Sequence, residues 1–403
     1  MHIAMVTTYP PSAGSLNEYA YHFVSALRQK PEVERLTILS DVLPDSAEYP
    51  PFPDDGVPTK IAGCWRFGAW DNALRIQSAI NRIRPDVVLF NIQFASFAGA
   101  RVPAALGLMA PAIIKRFSNT TTAVLLHNLM ETVDLDSAGF GGNSLLGRVT
   151  RFAGTVATRT ILQADLVALT IPKYVDLLAE KYGAENIFLA PHGAFYQMPH
   201  PPASDDSDQS QTILAFGKFG TYKRVEILLE AFEILQQRRE TPMKLVIAGT
   251  DNPNAAGYLQ QMQQQYAHVP NVTYTGYVKE DDVPGLFQSA DVVAFPYTST
   301  TGSSGVLHQA GSYGCAVVLP NLGDFAELIQ DEGYVGQFFQ PEDATSMAEA
   351  IARLLDNPVL RQQQGEQNFL ASQGIPIADV VDWYLLHFER LLAERKEPVK
   401  TRG

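Results

Sequence analysis

Cysteine is nearly absent. Cys64 and Cys315 lie far apart in a chain of 403 residues and fit no metal-ligand spacing, so neither a disulfide scaffold nor a zinc site is expected. No apolar run approaches the ~20 residues needed to cross a bilayer. The N-terminus enters an apolar run without a basic leader or a small-residue cleavage site, so the expected location is cytoplasmic. Cations are also scarce: 30 Lys and Arg face 43 Asp and Glu, for a net charge of −13. A protein held to nucleic acid by phosphate attraction is therefore not expected. At 46% hydrophobic and 18% charged residues, the composition excludes a disordered or collagen-like chain. The length suits two or three domains. Residues 1–200 carry 16 cations and 17 acids, whereas residues 201–403 carry 14 and 26. Two units with different surfaces are expected.

Short runs rich in branched residues alternate with longer stretches of helical period. The first half has them at 2–7, 36–39, 86–92, 122–127, 166–170 and 187–190. The second half has them at 212–216, 244–248, 272–275, 291–295, 316–319 and 334–338. Several are continuous rather than alternating, as in Val87-Val88-Leu89-Phe90, which is the pattern of strands covered on both faces. The alternation predicts α/β architecture with one doubly wound parallel sheet in each half. Residues 197–211, rich in Pro, Ser and Asp, read as a linker. Residues 377–395 place Val380, Val381, Tyr384 and Phe388 at the spacing of an amphipathic helix. Ligands of open α/β sheets bind at loops beyond the strand ends, so the chemistry is sought there.

Four such loops are unusual. The first, Tyr9–Tyr19, holds the small residues Ala13, Gly14 and Ser15 and leads into a helix, although a tight turn alone needs such residues too. The second, Gly217-Lys-Phe-Gly-Thr-Tyr-Lys-Arg224, concentrates cations in the acidic half and suggests an anion, most naturally a diphosphate. It is not a Walker A loop. The third, Tyr297–Gly305, brings hydroxyls and glycines to a helix start, where backbone amides can hold phosphate or sugar oxygens. The fourth groups polar residues at strand ends: Gln93, His127, Asn128, Glu131 and His192.

Together these loops resemble retaining glycosyltransferases of the GT-B fold, family 4 (glycosyl transferases group 1), over nearly the whole chain. The resemblance implies two Rossmann-like domains facing a cleft. These are an acceptor-side domain over 1–200, a nucleotide-sugar domain over 201–376, and a terminal helix over 377–403 that crosses back to the first. Lys218 and Lys223 fall at the spacing of the family's diphosphate-binding Arg and Lys, and His127 at the reacting sugar. These three are the implied catalytic residues. Donor contacts are implied for Gly14, Ser15, Gly217, Tyr277, Val278, Thr301, Gly302, Ser303, Ser304, Gly305, Val306 and Gln309. Acceptor-side contacts are implied for Asn17, Gln93 and Asn128.

One departure stands out: Thr301 and Gln309 replace a Glu-x7-Glu pair. Gln309 still bonds two hydroxyls, whereas the short, neutral Thr301 loses a charge-assisted contact to the sugar.

The implied reaction moves a sugar from a nucleotide-diphosphate donor to an acceptor hydroxyl with retention. It uses neither metal nor cofactor, since no Asp-x-Asp sits in a suitable loop. The acceptor would be a saccharide, a lipid-linked molecule or a small molecule. Peripheral membrane contact would run through residues 106–117 and 147–159, which also read as core helices with charged outer faces. The alternatives are a degenerate nucleotide-sugar binder or scaffold of the same fold, and an epimerase. The epimerase would need carboxylates that the donor loop lacks.

Overall fold

The computed structural model describes residues 1–12, 14, 16–44, 47–129, 154–196, 198, 210–252, 255–299 and 303–396. The chain divides into two compact units. One comprises Met1–His192 with Ile377–Gly403, the other Gly193–Pro376.

The first unit holds a parallel sheet of β1 (His2–Val6), β2 (Arg35–Asp41), β3 (Thr59–Trp65), β4 (Val87–Ile92), β5 (Thr121–Leu126), β6 (Leu166–Leu169) and β7 (Ile187–Leu189). Their order is β3-β2-β1-β4-β5-β6-β7. β1, β4, β5 and β6 are buried along their whole length, which explains their unbroken apolar runs. β3 was not expected. It is an edge strand with alternating exposure, and its Lys60 and Gly63 conceal the pattern. The helix Ile377–Lys396 belongs to this unit. Its Tyr384 ring packs edge-on to Phe23 at 5.4 Å, and its Asp382 pairs with Lys30 at 2.6 Å.

The second unit repeats the layout with β8 (Gln211–Phe219), β9 (Met243–Asp251), β10 (Val272–Gly276), β11 (Val292–Ala294), β12 (Ala316–Pro320) and β13 (Gln337–Phe339). Their order is β10-β9-β8-β11-β12-β13, all parallel. Two expectations are corrected here. β8 runs through Gly217 and Lys218 to Phe219, because Lys218 keeps ladder register with Thr250. These residues therefore end a strand instead of following one. The second unit also starts at Gly193, ahead of the polar stretch, because the Ala194 amide donates to the Ile375 carbonyl at 2.7 Å. Of that stretch, Gln211 already lies in β8, while residue 197 and residues 199–209 lie outside the described residues.

In each sheet the first and fourth strands are neighbours whose connections leave in opposite directions. This creates a crevice at the carboxyl ends of β1 and β4, and another at those of β8 and β11. Both crevices are lined by the loops singled out above.

Candidate active site

At the first crevice, buried Asn91 near the end of β4 donates through Nδ2 to the Thr7 hydroxyl at 2.9 Å. Its Oδ1 lies 2.6 Å from Nε2 of His127. With the amide oriented by Thr7, His127 carries its proton on Nε2 and presents Nδ1 as an acceptor. The rings of His127 and His192 each meet Tyr19 edge-on, at 4.8 and 4.7 Å. Burial, and then the neighbouring His192, push the His127 pKa down to about 3. His127 is thus a neutral hydrogen-bonding group at physiological pH and a poor reservoir for a proton. Its imidazole NMR shifts should stay those of the neutral ring from pH 5 to 8, and a titration midpoint above 5 would contradict this.

The neighbouring loops are pinned by their own side chains. Ser12 Oγ donates to Asp41 at 2.8 Å and accepts the Gly14 amide at 3.2 Å. A Cβ on Gly14 would sit 2.2 Å from Thr8 Cγ2, so only glycine fits there. Asn17 Nδ2 donates to the Ser12 carbonyl at 2.7 Å. Asn128 Oδ1 accepts the Phe94 amide at 3.0 Å, and the Gln93 amide donates to Ser96 Oγ at 2.8 Å. Asn17 Nδ2 and Asn128 Oδ1 thus help to shape the rim.

At the second crevice, the turn after β8 is tied to the loop after β11. The Arg224 amide donates to the Pro296 carbonyl at 2.8 Å, and the Thr298 amide to the Tyr222 carbonyl at 2.9 Å. This lays Lys223 inward, with only 8% of its surface exposed. Its Nζ stands 4.9 Å from the Tyr297 ring centroid, over an electron-rich face. No carboxylate or other hydrogen-bond acceptor meets this ammonium among the described residues. A Cβ on Gly217 would lie 2.8 Å from that Nζ, and one on Gly249, across the ladder, 1.9 Å from the Gly217 carbonyl oxygen. Both glycines have positive φ, 130° and 136°, so they give Lys223 a bare backbone floor. Tyr297 OH reaches Ser304 Oγ at 3.4 Å. Ser304 precedes the helix Gly305–Ser312 and makes no side-chain cap. The first amides of that helix are thus open to an anion.

Residues 210–357 match the family described as glycosyl transferases group 1. The match spans 148 of the 403 residues and lies within the second unit. D-inositol 3-phosphate glycosyltransferase of Corynebacterium diphtheriae is 25% identical over 218 residues, 50% of each chain. The chain thus spans between a third and a half of the length of the curated relatives it matches first, 32% to 50%. Sucrose-phosphate synthase from Thermosynechococcus elongatus superposes with a TM-score of 0.73 at 16% identity, covering 98% of this chain and 100% of that one. Anabaena HepE, solved in complex with UDP-glucose, gives 0.68 at 15% identity, covering 98% and 100%. The fold is GT-B.

Within the second unit the structure brings Gly217, Lys223, Tyr297 and Ser304 together, and places Ser303 Oγ 3.1 Å from His308 Nε2. Gln309 is buried in the helix. Lys218 is half-buried at the end of β8. Tyr277 is 79% exposed, and Val278 packs against the apolar cluster around Phe287. Ser15, Glu131, Thr301 and Gly302 lie outside the described residues. The sequence reading missed Asn91, hidden in the run Val87–Ile92, and the ring of Tyr297 beneath Lys223. Burial pushes the thiols of Cys64 and Cys315 up to about 12, so neither is a ready nucleophile. The stretch 106–117 is built from the helices Arg101–Leu108 and Ala110–Phe117, with Ala110 and Ile114 buried and Phe117 exposed. Residues 147–153 lie outside the described residues. Among the described residues no helix is long and apolar enough to cross a membrane.

Proposed function

We propose that this protein transfers a glycosyl group from a nucleotide-diphosphate sugar to an acceptor hydroxyl with retention of configuration. The reaction needs neither a metal nor a cofactor. The observation that carries this reading is the nearly buried Lys223 ammonium, which has no counter-charge among the described residues and sits at the switch point of the second unit. Burying a charge is costly unless something pairs with it, and a diphosphate is the partner that this crevice fits.

The main catalytic task is to stabilise charge developing on the leaving diphosphate. Lys223 does this, with Lys218 and the amides of Gly305 and Val306 beside it. Tyr277, Val278 and Gln309 serve the nucleoside, and Ser303 and Ser304 the sugar–phosphate end. In the first unit, neutral His127 accepts a sugar hydroxyl at Nδ1 while Asn91 holds its tautomer. With the leaving diphosphate oxygen itself taking the acceptor's proton, no protein nucleophile is required, and departure and attack share one face of the sugar. The acceptor is a saccharide, a lipid-linked molecule or a small molecule.

A ligand that binds only the folded state raises its melting temperature. One of UDP, GDP or ADP should therefore stabilise the protein with EDTA present, and the anomeric configuration of the product should equal that of the donor. An inverted product would overturn retention, and no stabilisation by any nucleotide would overturn the donor site.

A further inference from the structure

The donor loop rests on a second polar cluster, buried beneath it. His308, one turn into the helix Gly305–Ser312, has no exposed surface. Its Nε2 lies 3.1 Å from Ser303 Oγ and its Nδ1 2.8 Å from the hydroxyl of Tyr334, itself 1% exposed. From the turn after the helix Gly323–Asp331, Glu332 brings Oε2 to 3.7 Å from the same Nε2. The Glu332 side chain is 9% exposed, and neither of its carboxyl oxygens has a hydrogen-bond partner among the described residues.

This is not how a structural acid is housed. A buried carboxyl kept for stability is normally hydrogen-bonded, because an unbonded one costs more than an apolar residue of similar size. Among the described residues no cation holds it ionised. Asp331 adds like charge. The helix Pro358–Gln373 contributes amides: Gln367 Nε2 donates to the Gly333 carbonyl, and Asn368 donates to the Cys315 carbonyl and accepts the Val335 amide. The imidazole is the titratable partner in reach, and it is shared with the donor loop.

Resting on the glycosyl-transfer reading above, we propose that His308 and Glu332 are a buried acid–imidazole pair that positions Ser303 against the sugar–phosphate end of the donor. One imidazole nitrogen offers one bond. While Glu332 is a neutral acid, Nε2 is left to Ser303. Once Glu332 ionises, its carboxylate competes for Nε2 and Ser303 loses its hold. Burial, reinforced by Asp331, raises the Glu332 pKa to about 8, so this competition falls within an accessible range. Both residues act through Ser303 and are positioning residues.

The test uses the full chain and calorimetry between pH 6 and 9. The ligands are UDP-glucose, GDP-mannose and ADP-glucose, each alongside its free nucleoside diphosphate. For the pair that binds, affinity for the sugar donor should fall about tenfold from pH 7 to pH 9, as a site with a midpoint near 8 requires. Affinity for the free nucleotide should change little. Glu332→Gln, which cannot ionise, should keep the pH 7 affinity and lose the pH dependence. Ser303→Ala and His308→Gln should each weaken donor binding about tenfold, and the double variant no further. Donor binding by Glu332→Gln that still falls with pH, or full additivity of Ser303→Ala and His308→Gln, would overturn the inference while leaving the donor site intact. Absence of nucleotide binding by the unaltered protein would remove the donor site and this inference with it.

Discussion

Replacing Lys223 by alanine should weaken nucleoside-diphosphate binding at least tenfold and leave the protein folded. A charge-assisted hydrogen bond contributes about 1.5–3 kcal/mol, and each 1.4 kcal/mol is tenfold in affinity. The folded state should not suffer, because among the described residues Lys223 has no carboxylate that its removal would orphan. A lysine buried for structure would behave the other way, destabilising the fold when lost and leaving the ligand indifferent. Calorimetry with the nucleotide and a melting curve on the same sample separate the two. Unchanged affinity in a folded Lys223→Ala protein would move the donor site out of this crevice. Lys218→Ala is expected to follow in the same direction with a smaller effect, since this side chain is half-buried and shares its field with solvent.

Stability should fall as the pH rises towards 8, and Glu332→Gln should abolish much of that fall. The pKa of Glu332 is about 8 in the folded protein against an ordinary 4.5, so the folded state holds this proton more tightly than the unfolded chain does. Its contribution is fully present below pH 4.5 and is lost as the pH climbs through about 8. Between those limits the slope approaches about 1.4 kcal/mol per pH unit. The glutamine variant keeps the shape and cannot ionise, so it should be the more stable protein at pH 8.5 and nearly equal to the parent at pH 5. Urea titrations at both pH values measure the difference. Parallel stability curves for the two proteins would show that the carboxyl is not buried as described.

Strands β1, β4, β5, β8, β9 and β12 were legible because a sheet covered on both faces needs apolar side chains on both, and an unbroken run announces them. β3 has solvent along part of one face and a glycine at a register shift with β2, so nothing in Thr59–Trp65 stands out from a loop. At the sites, charge was the readable signal: Lys218 and Lys223 stand out in an acidic half. Asn91 could have been found, since an asparagine inside a strand apolar on both faces must have somewhere to place its amide. His308 sits among apolar residues of a helix and carried a similar hint. Its partner Glu332 did not, because their meeting depends on how β12 and the helix Gly323–Asp331 bring residues 308 and 332 together, and no local period records that.

Chain order has one further consequence. The second unit is an insert: the first unit begins before it and resumes after it at Ile377. Its entrance and exit lie side by side, because Ala194 bridges to Pro376 and its amide bonds to Ile375. An insert whose ends meet can be lifted out or exchanged without opening a gap in its host, since closing the host over it costs little chain entropy. The second unit is thus a cartridge. Exchange of this segment between related chains would leave the first unit's sheet and its terminal helix unbroken and, on the function proposed above, would carry donor preference with it.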